Sequence, residues 1–251
     1  MLLLRTAGLI VVVTVLASCA PEPTASELAT KAIANLRNAK TAHMDGTGSM
    51  AMKTGQAIPF SYAFTVSGDA MLPHDSRTNM QMVVNGVSLK IETITVAGKD
   101  YARSAGSAIW IEPASGASPI KSILGPLSKV DGPVVRNVVE VDRPEIDGRK
   151  TRHLRYEGDA TTLFEDVLEV TRTASVSVSN PRSVGELWIR VDNTQIVRQL
   201  VTLSIDLDGV DVQLAGMPRI PGRVSMDMSI DLHFSRHGEA IPQITAPPTG
   251  P

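Results

Sequence analysis

The sequence has a single cysteine, few aromatic residues and almost no net charge. Cys19 is the only cysteine among 251 residues, so an intrachain disulfide framework is excluded. Aromatic residues make up 4% of the chain, which disfavours aromatic platforms for nucleic acid bases and clefts lined by Trp and Tyr for carbohydrate. The formal charge of −2 at pH 7 provides no basic field for nucleic acid. We therefore expect no nucleic acid partner.

Residues 1–18 have the composition of an export signal. Arg5 supplies a positive charge, residues 7–17 are mainly apolar, and small residues precede Cys19. As a helix, this apolar stretch would reach about 16 Å, which is well short of the roughly 30 Å hydrocarbon core of a bilayer. The sequence therefore predicts a cleaved signal peptide over residues 1–18 rather than a membrane-spanning helix.

The end of this signal, Leu16-Ala17-Ser18-Cys19, resembles the lipobox of bacterial lipoproteins. The resemblance implies that the Cys19 thiol receives a diacylglycerol and becomes the new N-terminus on the extracytoplasmic face of the cell membrane. Two or more acyl chains make a stable anchor, whereas one binds only marginally. Residues 19–25 would then form the lipidated cysteine and a linker in which proline disfavours helix. The alternative is an ordinary secretory signal with a stray cysteine.

Hydrophobic periodicity predicts one N-terminal helix followed by many strands. Thr24-Ala25-Ser26-Glu27 has the pattern of a capping box, and apolar residues at helical spacing follow as far as Lys40. From His43 onward the period is two, which is typical of half-buried strands. Asn85-Gly86 and residues 97–100 have the chemistry of hairpin turns, so we expect an antiparallel sheet. Further separators between strands are expected at Asn180-Pro181, Asp208-Gly209 and residues 218–222.

Two further helices are predicted between the strands. The first covers residues 119–130, although Gly125-Pro126 should kink it. The second is capped by Asp159 and is amphipathic as far as Glu169. The apolar faces of the two helices consist of Ile120, Ile123, Leu124 and Leu127, and of Leu163, Phe164, Val167 and Leu168.

The order of these elements resembles that of the LppX/LprA/LprF/LprG lipoproteins of mycobacteria. The likeness is carried by residues 42–48 after the first helix, by residues 193–199 leading into a strand, and by residues 234–240 followed by 244–248. It implies an α+β fold like that of the LolA and LolB carriers, in which a strongly curved antiparallel sheet forms a half-barrel with helices across its concave face. It also implies an apolar cavity that binds acylated lipids or glycolipids, with no catalytic residues and no cofactor.

On this basis we predict a lipid-binding half-barrel domain over residues 26–241 and a Pro-rich tail over residues 242–251. The expected function is to bind and carry acylated lipids or glycolipids during lipid transport in the cell envelope, with a membrane transporter as a further partner. The eight apolar residues of the two inserted helices are the candidate cavity wall. Exposing the roughly 30 methylenes of a two-tailed lipid to water would cost on the order of 20 kcal/mol, so transfer between membranes needs such a carrier.

Other interpretations remain open from the residues alone. Alternating strands and amphipathic helices also build an ordinary core, so a lipid-anchored interaction or scaffold protein is the alternative function. An enzyme would need a polar constellation in a cleft, yet Gly-x-Ser-x-Gly is absent from the sequence. Asp206, Asp208 and Asp211 lack the spacing of a calcium loop and are interpreted as a solvated turn. The histidines lack metal-ligand spacing and are interpreted as surface residues: His43, His74, His153, His233 and His237.

Gly46-Thr47-Gly48 is the last motif that needs an interpretation. Two glycines close together suggest a phosphate loop, but no third glycine follows at the required spacing and the flanking residues have strand character. The motif instead predicts a bulge or a close backbone approach within a strand.

Overall fold

The computed structural model describes residues 21–54, 60–72, 75–84, 86–112, 135–158, 177–212 and 220–248. Within these ranges the chain forms one helix and an open antiparallel sheet of eleven strands. The helix α1 spans Ala25–Asn38, and the strands are β1 (Thr41–Thr54), β2 (Phe60–Met71), β3 (Asp75–Val84), β4 (Val87–Val96), β5 (Lys99–Ser104), β6 (Arg136–Asp142), β7 (Glu145–Ile146), β8 (Arg149–Glu157), β9 (Ser177–Arg190), β10 (Ile196–Val212) and β11 (Ile220–Ser235).

Most neighbours in the sheet are also neighbours in the sequence. The order is β5-β4-β3-β2-β1-β11-β10-β9-β8-β6, with β7 paired to β8. The first five strands form one antiparallel series and the remaining strands form a second. Pairing of β1 with β11 joins the two series. The predicted antiparallel sheet is therefore confirmed, and the chain reverses where the sequence predicts hairpins, between Val84 and Val87 and between Val96 and Lys99.

The two faces of the sheet differ in polarity because successive residues of a strand point to opposite sides. We call the face that carries Met44, Phe64 and Leu203 the inner face, and the face that carries Asp45 and Thr65 the outer face. Inner-face residues are mostly apolar and buried, whereas the outer face is rich in Ser, Thr and charged residues. The predicted alternation of the strands is confirmed.

Helix α1 begins at the predicted capping box. Thr24 Oγ1 accepts a hydrogen bond from the Glu27 backbone N–H, and the Glu27 carboxylate accepts one from the Thr24 backbone N–H at 2.9 Å. Lys40, with φ of 64°, follows the helix and leads into β1. Leu28, Ala32 and Leu36 are buried, and the helix contacts β6, β9 and β10. These contacts place α1 beside the inner face, as the position of its apolar stripe requires.

Two expected strand separators are wrong. Strand β9 continues through Asn180-Pro181, and β10 continues through Asp208-Gly209. At both places the pairing shifts register instead. Opposite residue 180 of β9, the shift lies between Ser204 and Asp206 of β10. At Asp208-Gly209, the shift lies between Leu207 and Val210, in the pairing of β10 with β11. Asn180 adopts a φ of 52°. Residues with turn chemistry here form irregularities within long strands, because flanking pairs on both sides hold the ladder together.

The strands define two opposite ends of the sheet. The helix end is where β1 begins at Thr41 and β11 ends at Ser235. The opposite end is where β10 ends at Val212 and β11 begins at Ile220, and β3 stops short of it, at the level of Met50. The residues before α1 are held at the helix end, since Glu22 pairs with Arg143 Nη2 at 2.7 Å and the Pro23 carbonyl accepts a hydrogen bond from Arg152 at 3.0 Å.

We expect the contact between this N-terminal segment and the sheet to weaken in acid. Partial burial raises the pKa of the Glu140 carboxyl, but hydrogen bonds from Arg143 and Arg152 outweigh it and hold that pKa below the usual 4.5. A carboxylate whose pKa is lowered in the folded state stabilises the fold at pH values above its unfolded-state pKa. This stabilisation is lost as the pH falls through its folded-state pKa.

Glu140→Gln should therefore lower the free energy of unfolding at pH 7 by about 1–3 kcal/mol, because the buried Arg152 guanidinium loses its charged partner. Urea titrations should show the difference from wild type shrinking below pH 4.5. Glu145→Gln is the matched control, since Glu145 is exposed and forms no ion pair with the described residues. An equal loss in both variants, or a difference independent of pH, would contradict this account.

Candidate functional site

The inner face is a continuous apolar surface that crosses the centre of the sheet. Its rows run through paired residues of neighbouring strands, for example Leu203 opposite Met228 and Met228 opposite Met50. Sequence periodicity predicts this surface correctly, since each of its strands alternates. The buried members on β1, β2, β3, β10 and β11 include Ala42, Met44, Met52, Phe64, Val66, Ala70, Met80, Val201, Leu203, Ile205, Leu207, Val224, Met226, Met228, Ile230, Leu232 and Phe234.

Methionine is the characteristic residue of this surface. The sequence contains ten methionines, and those that lie on the inner face of the described strands are Met44, Met50, Met52, Met80, Met82, Met226 and Met228. The unbranched, polarizable methionine side chain adapts to irregular apolar shapes and is common on surfaces that accept varied partners. A face built from methionine and aliphatic residues can therefore contact flexible hydrocarbon without a fixed complementary shape.

Glycines allow two aromatic rings to lie flat on the inner face. A Cβ at Gly48 would stand 2.1 Å from Phe64 Cζ, and a Cβ at Gly185 would stand 2.0 Å from Tyr156 Cζ. In each case the glycine is directly opposite the aromatic residue on the neighbouring strand. The close backbone approach predicted for Gly46-Thr47-Gly48 is found at Gly46, where a Cβ would stand 2.5 Å from the Asp231 carbonyl oxygen, whereas Gly48 makes room for the Phe64 ring. The same arrangement at Gly185 was not predicted from the sequence.

Gly185→Ala should destabilise the protein by about 1–3 kcal/mol, because the added methyl group collides with a ring that is confined by its neighbours. Chemical denaturation measures the loss. Tyr156→Leu combined with Gly185→Ala is the matched test, since removing the ring should remove most of the extra cost in a double-mutant cycle. Additive effects of the two substitutions would show that the ring does not occupy the space above Gly185.

Among the described residues, two polar atoms on the inner face are buried without a hydrogen-bond partner. They are Ser183 Oγ and Gln199 Oε1, and the two residues are 94% and 95% buried. Gln199 Nε2 donates to Tyr156 Oη at 3.1 Å, and burial raises the pKa of the Tyr156 phenol above its usual value. A buried polar atom without a partner costs about 1–3 kcal/mol. These atoms therefore provide polar binding capacity within an apolar surface.

The outer face contains a layered cluster around Trp188. The His153 ring stacks on Trp188 with centroids 4.2 Å apart, and Arg198 Cζ lies 4.3 Å from the Trp188 ring centroid. His153 Nδ1 and Nε2 each lie 3.0 Å from a carboxylate oxygen, of Asp142 and Glu186 respectively. The interpretation of His153 as a surface residue is therefore wrong, because these partners come from other strands. The cluster ties β6, β8, β9 and β10 together.

Polar side chains also line the depressions of the outer face. A depression of about 630 Å³ is bounded by Asp45, Thr47, Lys90 and His233 among others, and a second of about 460 Å³ by Ser49, Thr202 and Asp227 among others. His43 lies beside the first of these, with Nδ1 2.7 Å from Asp69 and Nε2 3.1 Å from Asp45. Apolar residues also occur on the outer face, since Ile94 of β4 and Tyr101 of β5 pack there in a small second cluster with Trp110 and Ile244.

Metal and membrane-spanning features were searched for separately. Over the described ranges, no group of three His, Cys, Asp or Glu side chains is placed to hold a metal ion. The one described helix, α1, is not long and apolar enough to cross a membrane. Asp206, expected in a solvated turn, lies within β10, where hydrogen bonds from Asn180, Ser225 and Arg223 hold the pKa of its carboxyl well below its usual value.

The candidate residues from the sequence lie outside the described residues. These are the lipidation candidate Cys19, the first inserted helix with Ile120, Ile123, Leu124 and Leu127, and the second with Leu163, Phe164, Val167 and Leu168. His74 and the last residues of the tail are outside them as well. The lipidation and cavity-wall assignments therefore stay predictions, whereas the inner face of the sheet is described directly.

The architecture is that of an open antiparallel sheet with a helix beside one end of its apolar face. No family model matches the chain, and no curated protein matches it. Among solved structures, the lipoprotein LppX of Mycobacterium tuberculosis matches with a TM-score of 0.50 at 11% identity, over 90% of this chain and 100% of that one. LprF of Mycobacterium bovis matches with a TM-score of 0.49 at 15% identity, over 89% and 96%.

The chain therefore has the fold of the lipoprotein LppX. The resemblance to these mycobacterial lipoproteins that the sequence indicates is confirmed as a likeness of fold. A LolA superfamily protein of Nitrosomonas europaea also matches, with a TM-score of 0.31 at 12% identity, over 88% of this chain and 96% of that one.

Proposed function

We propose that this protein is a membrane-anchored lipoprotein that binds acylated lipids or glycolipids against its inner face and carries them during cell-envelope lipid transport. The observation that carries this proposal is the continuous apolar, methionine-rich inner face of an open sheet, within which Ser183 Oγ and Gln199 Oε1 are buried without partners. An apolar surface of this kind suits acyl chains, and the two polar atoms suit the ester, amide or hydroxyl groups that join acyl chains to a headgroup.

The finer parts of the proposal concern segments that the structure does not describe. In it, the sheet curves into a half-barrel and the predicted helices over residues 119–130 and 159–169 lie across its concave side. Their apolar residues would then form the second wall of the cavity, opposite the methionines. Cys19 carries the diacylglycerol that holds the protein on the extracytoplasmic face of the cell membrane.

The proposed role needs neither catalysis nor a cofactor. Withdrawing an acyl chain from a bilayer and burying it against protein exchanges one apolar environment for another, so the free energy change is small although exposure to water would be very costly. A membrane transporter that delivers lipid to the extracytoplasmic leaflet is the expected partner. The N-terminal anchor would keep the carrier near that source.

The proposal predicts that the lipidated protein, purified from bacterial membranes in mild detergent, retains acylated lipid. Met50→Lys should reduce the extracted lipid severalfold, because a charged ammonium group would then stand on the half-buried inner face against the acyl chains. Ala51→Lys is the matched control, since Ala51 is also half-buried but points to the outer face. Mass spectrometry of the extracts measures the lipid per protein.

Two results would contradict the proposal. One is a folded wild-type protein that holds no acylated lipid, which would favour the scaffold function instead. The other is an equal loss of lipid in both lysine variants. The same preparation tests the anchor, since the N-terminal peptide should begin at Cys19 and have the added mass of a thioether-linked diacylglycerol. An unmodified Cys19 would overturn the anchor without affecting the cargo result.

A separate prediction concerns the partnerless hydroxyl of Ser183. Ser183→Ala should raise the free energy of unfolding of the ligand-free protein by about 1 kcal/mol, because it removes a buried polar atom that has no hydrogen bond to lose. The same variant should retain less lipid. Ser204→Ala is the contrasting control, since Ser204 Oγ donates to Asp227 at 2.8 Å and its removal should lower stability. A Ser183→Ala protein that is less stable, or that binds lipid as wild type does, would contradict this role.

A further inference from the structure

The Gln199 amide lies within an apolar part of the inner face. Leu187 of β9 and Leu232 of β11 are its partners on the neighbouring strands, and Val201 is the next residue of β10 on the same face. All three side chains are apolar and buried, and Gln199 itself is buried as well. None of the three has a hydrogen-bonding group, so the oxygen and the nitrogen of the Gln199 amide depend on other partners.

Tyr156 satisfies the nitrogen of this amide. Gln199 Nε2 donates to Tyr156 Oη at 3.1 Å, and the phenol ring lies over Gly185, directly opposite on β9. Burial raises the pKa of the Tyr156 phenol, so the oxygen keeps its hydrogen at neutral pH. Since Oη already accepts from Gln199, that hydrogen points to a different acceptor and can be donated to a ligand.

The oxygen of the same amide has a more definite requirement. Gln199 Oε1 accepts hydrogen bonds and cannot donate them, and it is buried without a partner among the described residues. A partner for this atom must therefore bring a hydrogen on oxygen or nitrogen. Ser183 Oγ makes no such demand, because a hydroxyl both donates and accepts. Of the two partnerless atoms, Gln199 Oε1 is thus the one that distinguishes ligands by their chemistry.

Acyl lipids divide into two classes by this requirement. An ester linkage has only acceptor oxygens, whereas an amide linkage has an N–H and a hydroxylated acyl chain has an O–H. A hydroxyl can also accept the Tyr156 hydrogen while it donates to Gln199 Oε1, which closes a ring of three hydrogen bonds. A sugar headgroup fits poorly at this place, since its other hydroxyls would be buried among leucine and valine without partners.

We propose that the inner face selects acyl lipids that bring a hydrogen-bond donor, an amide N–H or a hydroxyl on the acyl chain, to Gln199 Oε1. This inference rests on the proposed lipid-binding function and adds the chemical class of the cargo to it. The apolar residues around Gln199 contact the hydrocarbon, whereas Gln199 sets the preference. An ester-linked chain without a donor leaves the buried oxygen unpaired, and a site of this kind discriminates against such an analogue.

The test uses three ligands with the same chain that differ only at the polar end. They are N-ethylhexadecanamide, ethyl 3-hydroxyhexadecanoate and ethyl hexadecanoate, and the last of these has no donor. The full chain, purified in mild detergent, is incubated with an equimolar excess of all three and isolated again. Mass spectrometry then measures each ligand per protein. Wild type should take up the amide about fivefold more than the plain ester, and the hydroxy ester at least as much as the amide.

Two matched leucine variants assign this preference to Gln199. Gln199→Leu should lower uptake of the amide and of the hydroxy ester to about the level of the plain ester, because the acceptor oxygen is gone. Gln81→Leu is the control, since Gln81 is exposed on the outer face, where its Nε2 donates to Ser88 Oγ at 3.1 Å. The control should keep the wild-type order of the three ligands.

Tyr156→Phe tests the ring of hydrogen bonds without removing Gln199 Oε1. The hydroxy ester should then fall to the level of the amide, while the amide keeps its advantage over the plain ester. This variant also replaces Gln199→Leu if that protein does not fold. Loss of the amide preference in folded Tyr156→Phe would contradict the assignment to Gln199 Oε1.

The remaining outcomes separate this inference from the function on which it rests. Uptake of none of the three ligands by folded wild-type protein contradicts lipid binding itself. Equal uptake of all three supports lipid binding and overturns the donor requirement. A preference for the amide that persists in Gln199→Leu, or that disappears equally in Gln81→Leu, shows that another feature of the protein selects the ligand and overturns the role of Gln199.

Discussion

The pairing of β1 with β11 is the constraint on which the rest of the structure depends. His43 to Thr54 pair residue by residue with Ser235 to Val224, without a register shift, and this ladder is the junction between the two antiparallel series of strands. A slip of one residue would transfer every side chain of one series to the opposite face relative to the other series. Because the register is fixed here, the methionines of β1, β3 and β11 all lie on the same face.

The inner face that results differs from an ordinary core in how it is filled. At Gly48 and Gly185 the neighbouring aromatic rings lie on the backbone, where other strands would place a Cβ. The rings therefore occupy space that a Cβ would otherwise fill. Methionine side chains of the same face are easily rearranged. The glycines beneath the rings and the methionine side chains both lower the specificity of packing within the chain. Both features suit contact with hydrocarbon of variable length.

Much of this fold could be predicted from local signals. The capping box at Thr24 predicts the start of α1, and the alternation of β10 and β11 predicts which face is buried. Strands β6 and β8 were missed because charged residues hide their alternation: buried Arg152 pairs with Glu140 of β6, and His153 with Glu186 of β9. Only the assembled sheet brings these partners together. The irregularity at Asp208-Gly209 was mistaken for a turn for a similar reason, since pairing on both sides overrides local turn chemistry.

The candidate site was predicted only in outline, because a cavity depends on packing between elements and periodicity reports single elements. Its most informative residues, Ser183 and Gln199, have no local sequence signal at all. They stand out only once burial and hydrogen bonding are counted, as atoms that break the rule that buried polar groups are paired. The sequence could be assigned an apolar face, but not the polar positions within it.

The partnerless inner-face atoms break the rule that buried polar groups are paired, and the proposed lipid ligand would explain them. A buried hydroxyl without a partner among the described residues is unfavourable for the isolated chain, and the pairing of the strands around it does not require it. Departures of this kind are expected where a protein is shaped for something other than its own stability. In the proposed complex, the polar linkages of a lipid would bond to Ser183 and Gln199 while its acyl chains contact the apolar residues around them. A protein partner that covered only the exposed surface would leave these buried atoms unexplained, which is why the proposed carrier function accounts for more of the structure than the scaffold function does.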